Sequence, residues 1–171
     1  MAGLMALCRN AGRAAAMLAG SFGLAACSPQ AAQQVPEPTA EADAAVHPVS
    51  GLEVIPVTVT TSAGTHTFAA ELAQSDEAQM RGLMFRTEMG ADEAMLFPYD
   101  RPELLSFWMR NTVLPLDIIF IGEDRRIINI EEGVPYNETP VQADREGIAV
   151  LELNRGRAAE LGIGSGDRVE W

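Results

Sequence analysis

The chain has no lysine, and only two cysteines and two histidines. Each shortage excludes something. Cys8 falls inside an amino-terminal segment that reads as removable, so Cys27 is the one thiol of the mature chain and no intramolecular disulfide can form. His47 and His66 have no second His or Cys at zinc-ligand spacing, so neither a metal nor any other cofactor is expected. No glycine-rich stretch runs into Lys-Ser or Lys-Thr, which excludes a phosphate loop, and no serine sits in a nucleophile elbow. Positive charge is scarce: 12 arginines stand against 24 acidic residues, for a net charge of -12. Such a surface repels phosphate backbones, so nucleic acid is not an expected partner, and it disfavours direct adhesion to anionic lipid headgroups.

Long apolar runs are missing too. The longest, Ala14–Leu24, follows Arg9 and Arg13 and holds about 11 residues, where a membrane-spanning helix needs around 20. A positive start, a short apolar middle and small residues at the end make residues 1–26 a secretory signal. The signal closes on Leu24-Ala25-Ala26-Cys27. That order resembles a lipobox, in which the Cys27 sulfur receives a diacylglycerol and the freed amino group is acylated; ordinary cleavage after Ala26 would instead leave a free thiol. Two or more acyl chains hold a protein stably on a membrane. By resemblance to lipoproteins of diderm bacteria, Ser28 points to the periplasm-facing leaflet of the outer membrane. Residues 27–50 are rich in Ala, Gln, Pro and Glu, and Pro29, Pro36, Pro38 and Pro48 oppose regular structure. They read as a disordered tether, since they bury too little to offset the entropy of ordering.

Residues 51–171 hold the apolar content of a single compact domain. Val54–Thr61 and Thr65–Leu72 alternate around Ser62-Ala63-Gly64 as a hairpin. Ser75 caps a helix reaching about Gly82, with Asp76 and Glu77 in its first turn. Ala94–Phe97, Leu104–Met109, Leu116–Ile121, Arg126–Glu131, Ile148–Leu153 and Arg168–Trp171 read as strands, and residues 133–147 as a loop. Asn154 caps a second short helix that ends at Gly162. The expected fold is α+β and mostly β: a small barrel-like or sandwich-like antiparallel or mixed sheet with two short helices.

Several blocks carry a resemblance. Arg81-Gly82-Leu83-Met84-Phe85-Arg86, Met95-Leu96-Phe97, the long run Phe107-Trp108-Met109-Arg110-Asn111-Thr112-Val113-Leu114-Pro115-Leu116-Asp117-Ile118-Ile119-Phe120, Val134-Pro135-Tyr136 and Val150-Leu151-Glu152-Leu153 resemble the family catalogued as domain of unknown function 192. The resemblance covers residues 53–171. Ala94 departs from it, standing where the family usually has Gly before Met-Leu-Phe. What it implies is a fold class and an exported habit, and no reaction.

Function must then come from the residues. Asp117 opens an otherwise apolar strand, and a carboxylate there needs a partner. Arg81, Arg86 and Arg110 are candidates, since guanidinium pairs with carboxylate in a fork. Asn111 and Asp117 bonding a turn's backbone amides is the structural alternative. Together Arg81, Arg86, Trp108, Arg110, Asn111 and Asp117 outline a candidate ligand-binding cleft in which the Trp108 ring stacks on a sugar or peptide face. The expectation is a non-catalytic envelope module, held to the membrane by its lipid anchor, that binds an envelope glycan, a peptide or a protein. The alternative is a glycan hydrolase or lyase using Asp117 with Glu131 or Glu152 as paired carboxylates. Methionines 80, 84, 89, 95 and 109 are soft enough for Cu(I), but core filling is the reading adopted.

Overall fold

The computed structural model describes residues 45–171. Cys27, the signal segment and most of the tether lie outside the described residues.

Nine strands and two short helices follow one another in the order β1 (Val54–Thr60), β2 (Thr65–Leu72), α1 (Asp76–Arg81), β3 (Glu93–Glu103), β4 (Ser106–Phe107), β5 (Leu116–Ile121), β6 (Ile127–Gly133), β7 (Val141–Gln142), β8 (Gly147–Asn154), α2 (Arg157–Glu160) and β9 (Arg168–Glu170). Seven strands form one mixed sheet in the order β6-β5-β8-β3-β2-β1-β9, and β4 pairs β7 in a small second sheet. Among the described residues only the β2–β3 pairing is parallel. That is the consequence of placing α1 between β2 and β3, because a parallel neighbour needs a crossover whereas the hairpins need only turns. The outer strands β6 and β9 meet at a single bridge, Arg126–Arg168, braced by backbone bonds from Ile127 to Asp167 (2.9 Å) and from Val169 to Arg125 (2.8 Å). The sheet therefore curls until its ends touch but is not closed as a barrel.

Both faces of the sheet are covered. Leu116–Ile121 and Gly147–Asn154 are buried nearly throughout, as strands become when neither face meets water. On one face Val57, Val59, Phe68, Ile119, Ile121, Leu151, Leu153 and Val169 form a core with Ala158 of α2. On the other, Met95, Phe97, Leu116, Ile118, Phe120 and Val150 pack with Leu83, Leu105 and Met109. The rings of Phe97, Phe107 and Phe120 meet edge to face, at 5.0 Å and 6.2 Å. Met95 and Met109 are thus core residues, while Met80 is exposed.

Several sequence expectations shift. The strand expected at Leu104–Met109 shrinks to Ser106–Phe107, because the chain turns at Arg110 and Asn111. The loop 133–147 contributes β7, which buried Asn129 holds by donating to the Gln142 carbonyl (3.0 Å) and accepting from the Asp144 N–H (3.1 Å). Ser75 does cap α1, accepting from the Ala78 N–H at 3.2 Å. Asn154 does not cap α2: its amide donates to the Met89 and Gly90 carbonyls, and the residue preceding the helix is Gly156. Residues 45–50, read as the end of the tether, are structured. Val46 bridges Glu53, and His47 and Gly51 close a turn. The turn is held because His47 lies 3.5 Å from Glu71, whose carboxylate accepts a 2.8 Å bond from Arg86.

Candidate functional site

Side chains on β3 and β8 point alternately to the two faces. Glu152 stands opposite Met95 on one side and Ile118 on the other. Alternation puts it with Val150, Phe97 and Tyr99 on the face that carries α1 and the β4 turn. These elements do not close over the sheet completely. Between them lies a cleft of about 710 Å³, floored by Phe97, Tyr99 and Glu152 and walled by Asp76, Gln79 and Met80 of α1, by Arg81–Met84, by Ser106–Trp108 and by Arg110–Thr112.

The wall is fixed by local chemistry. The Gln79 side-chain amide donates to the Pro98 carbonyl at 2.8 Å and ties α1 to β3. Gly82 ends α1 at φ 46°, a left-handed backbone that favours glycine, while a Cβ there would make only ordinary contact with the Phe97 ring at 3.4 Å. The chain after it is stapled to the β4 turn by the Phe85 N–H, which donates to the Asn111 carbonyl at 2.9 Å. Phe85, Asn111 and Tyr136 all hold positive φ (63°, 54° and 60°), and the Tyr136 N–H donates to the Thr112 carbonyl. Left-handed backbone costs of order 1 kcal/mol for a bulky residue, and such strain gathers at ligand clamps. Phe85 does this while 71 % exposed, so its own burial does not compensate it.

The floor is electrostatically unusual. Glu152 is 5 % exposed and has no hydrogen-bond or ion-pair partner among the described residues. Burial pushes its carboxyl up to about 8, so it is mostly protonated at neutral pH. Tyr99 is raised as well, by its own burial first and then by Glu103 and Glu152. The contrast lies in the same cross-strand row: Glu71 is Met95's neighbour on β2 and equally buried, yet it has Arg86 and His47.

Four of the six residues drawn from the sequence meet here: Arg81, Trp108, Arg110 and Asn111 all line the cleft. Trp108 is 47 % exposed, and the Arg110 guanidinium stacks 5.6 Å from the centre of its ring. Arg86 is elsewhere, committed to Glu71. Asp117 is on the opposite face, where it serves as an acceptor for α2: its two oxygens take the Gly156 N–H (3.0 Å) and the Ala158 N–H (2.9 Å). No arginine among the described residues pairs with it, and the sheet separates Asp117 from Glu152, the carboxylates expected as a pair. Glu131 shares the face of Glu152 through Ile118 but bonds the Asn129 amide. Sequence reasoning weighed Glu152 only as an accessory to Asp117. The usable signal was an acidic residue inside the buried run Ile148–Leu153. No group of three or more His, Cys, Asp or Glu side chains among the described residues is arranged to hold a metal ion.

Comparison with known proteins agrees with the fold. The profile of the family described as "Uncharacterized ACR", domain of unknown function 192, matches residues 57–171. The crystal structure of a protein of unknown function from Novosphingobium aromaticivorans is 57% identical, with a TM-score of 0.74, over 77% of this chain and 94% of that one. A Sinorhizobium meliloti protein, provisionally described as a transcription regulator, is 38% identical with a TM-score of 0.67, over 70% of this chain and 94% of its own. No curated protein matches.

Proposed function

From a chain that belongs to the uncharacterised family of domain of unknown function 192, we propose a lipid-anchored module of the cell envelope that binds a small ligand without transforming it. The supporting observation is the open cleft, whose buried floor carboxyl lacks a partner. Its volume falls in the range of ligand sites, roughly 300–1,000 Å³, and it combines apolar walls with a few polar groups. Anchorage through Cys27, on the periplasmic side of the outer membrane, rests on the Leu24-Ala25-Ala26-Cys27 motif and Ser28. Catalysis by two carboxylates loses support because Asp117 is spent on the α2 amides. Transcription regulation is not carried over from the Sinorhizobium relative, since a net charge of -12 opposes DNA.

The test is Trp108→Ala. Trp108 is half exposed, so the variant folds with the wild-type urea midpoint. It loses the thermal stabilisation that muropeptide or glycan fragments give the wild type. A variant that unfolds outright, or that retains the full ligand shift, removes the cleft as the binding site. Mass spectrometry of the membrane fraction checks the anchor: a free thiol at Cys27 on a protein in the soluble fraction overturns it.

A further inference from the structure

Resting on the cleft being a ligand site, we propose that its ligand class is the small zwitterion, an amino acid or short peptide whose ammonium reaches Glu152 and whose carboxylate meets Arg81 and Arg110.

Both ends of the cleft are unfinished. At the floor, Glu152 is 5 % exposed, lines the cavity and has no partner among the described residues. Its oxygens are not among the sealed, unpartnered side-chain atoms, which belong to His66, Glu71 and Arg157; they open to the cleft, where a ligand group offsets the cost of desolvation. Beside it stand the rings of Phe97, Tyr99 and Phe107, and aromatic faces attract cations as well as apolar groups. An ammonium group therefore finds there a carboxyl that ionises to pair with it and rings to pack on. In the wall, Arg81 and Arg110 line the cleft and, like Arg101, Arg125 and Arg126, make no ion pair among the described residues, whereas Arg86, Arg145, Arg155, Arg157 and Arg168 each bind an acid. A guanidinium held at a cleft is a fork suited to a carboxylate.

Charge selects among ligands. A simple cation would be repelled by the two guanidinium groups, and a simple anion would leave Glu152 unsatisfied. A molecule with both charges meets both demands, and a cleft of about 710 Å³ admits an amino acid or a dipeptide. Burial alone sets the protonation of Glu152; the titratable and charged groups that share the cleft with it are Tyr99 of β3, Asp76 and Arg81 of α1 and Arg110 of the β4 turn, and β5 brings the apolar Ile118. Glu152 carries its proton at neutral pH. On meeting an ammonium it ionises and that proton passes to solvent, so binding is linked to proton release.

Isothermal titration of the full-length protein at pH 7, in buffers of different ionisation enthalpy, tests this. The probes are L-phenylalanine and alanyl-phenylalanine (zwitterions), phenylalanine amide (cation) and N-acetyl-phenylalanine (anion). A zwitterion is expected to bind at least tenfold tighter than the cation or the anion, releasing close to one proton per ligand. Glu152→Gln weakens it at least tenfold and abolishes the release, while Arg81→Met with Arg110→Met weakens it but leaves the release. If the anion binds equally well and Glu152→Gln changes nothing, the zwitterion assignment falls. It also falls if neither zwitterion binds. The cleft reading survives either result when glycan fragments still stabilise the protein in a Trp108-dependent way; when they do not, both readings fall.

Discussion

Replacing Glu152 by Gln keeps the shape of the side chain and removes its titration, which makes the buried carboxyl measurable through folding. Its carboxyl titrates at about 8 in the folded chain against an ordinary 4.5. Below 4.5 both the folded and the unfolded chain are protonated there, and the full contribution to stability is present. Between the two values the unfolded chain gives up its proton and the folded chain keeps it, so rising pH favours unfolding. At about 1.4 kcal/mol per pH unit, the folded state loses up to ~5 kcal/mol across that interval, and water entering the cleft reduces the figure. For a domain whose whole stability is of order 5–15 kcal/mol, that is a large fraction. Urea unfolding followed by tryptophan fluorescence from pH 5 to pH 9 gives the slope directly. The wild type is expected to weaken by several kcal/mol, with the loss complete above pH 8. Glu152→Gln should match it within about 1 kcal/mol at pH 5 and stay nearly level, so that it is the more stable protein at pH 9. Parallel curves for the two would refute the reasoning, because titration of every other carboxylate is common to both.

Asp117→Ala removes both acceptors at the start of α2 and should cost about 1–2 kcal/mol in urea unfolding, with ligand affinity at the cleft unchanged. Arg86→Met leaves the Glu71 carboxylate buried without its guanidinium and should cost about 3 kcal/mol; adding Glu71→Gln should recover most of it, as a double-mutant cycle would show. Phe85→Asn should stabilise by about 1 kcal/mol, since Asn tolerates the left-handed backbone and little burial is lost. The same change should weaken ligand binding if the strained turn shapes the mouth of the cleft, which a thermal-shift titration would read.

Much of the architecture was legible because it is written in local alternation. The β1–β2 hairpin, the Ser75 cap and the run Leu116–Ile121 stand where turn residues and β-branched residues put them. What escaped was the chemistry that depends on distant partners. The identity of an acceptor for α2 cannot be read from residues 154–160, because Asp117 arrives from another strand. Arg86 and Arg81 look alike in sequence, yet one is buried against Glu71 and the other lines a cleft; the difference is made by β2 and by His47 from beyond the expected domain edge. Arg81 and Arg110 reach the candidate site as supposed partners of Asp117, which neither of them meets, and Trp108 as a supposed stacking ring; they line one cleft all the same. Glu152 was undervalued because a lone carboxyl in a strand resembles an exposed alternating position until the neighbours on both faces are known.

The three residues of β9 act as a clasp. They pair with β1 near the start of the domain, and the Arg126–Arg168 bridge joins them to the start of β6. A chain cut short before Arg168 would bare the flanks of two strands at once, inviting other copies to add there. Because the clasp joins the ends of the domain sequence, it closes a very long loop, and such contacts slow folding. A variant lacking Arg168–Glu170 is expected to self-associate, with β1 and β6 both left open.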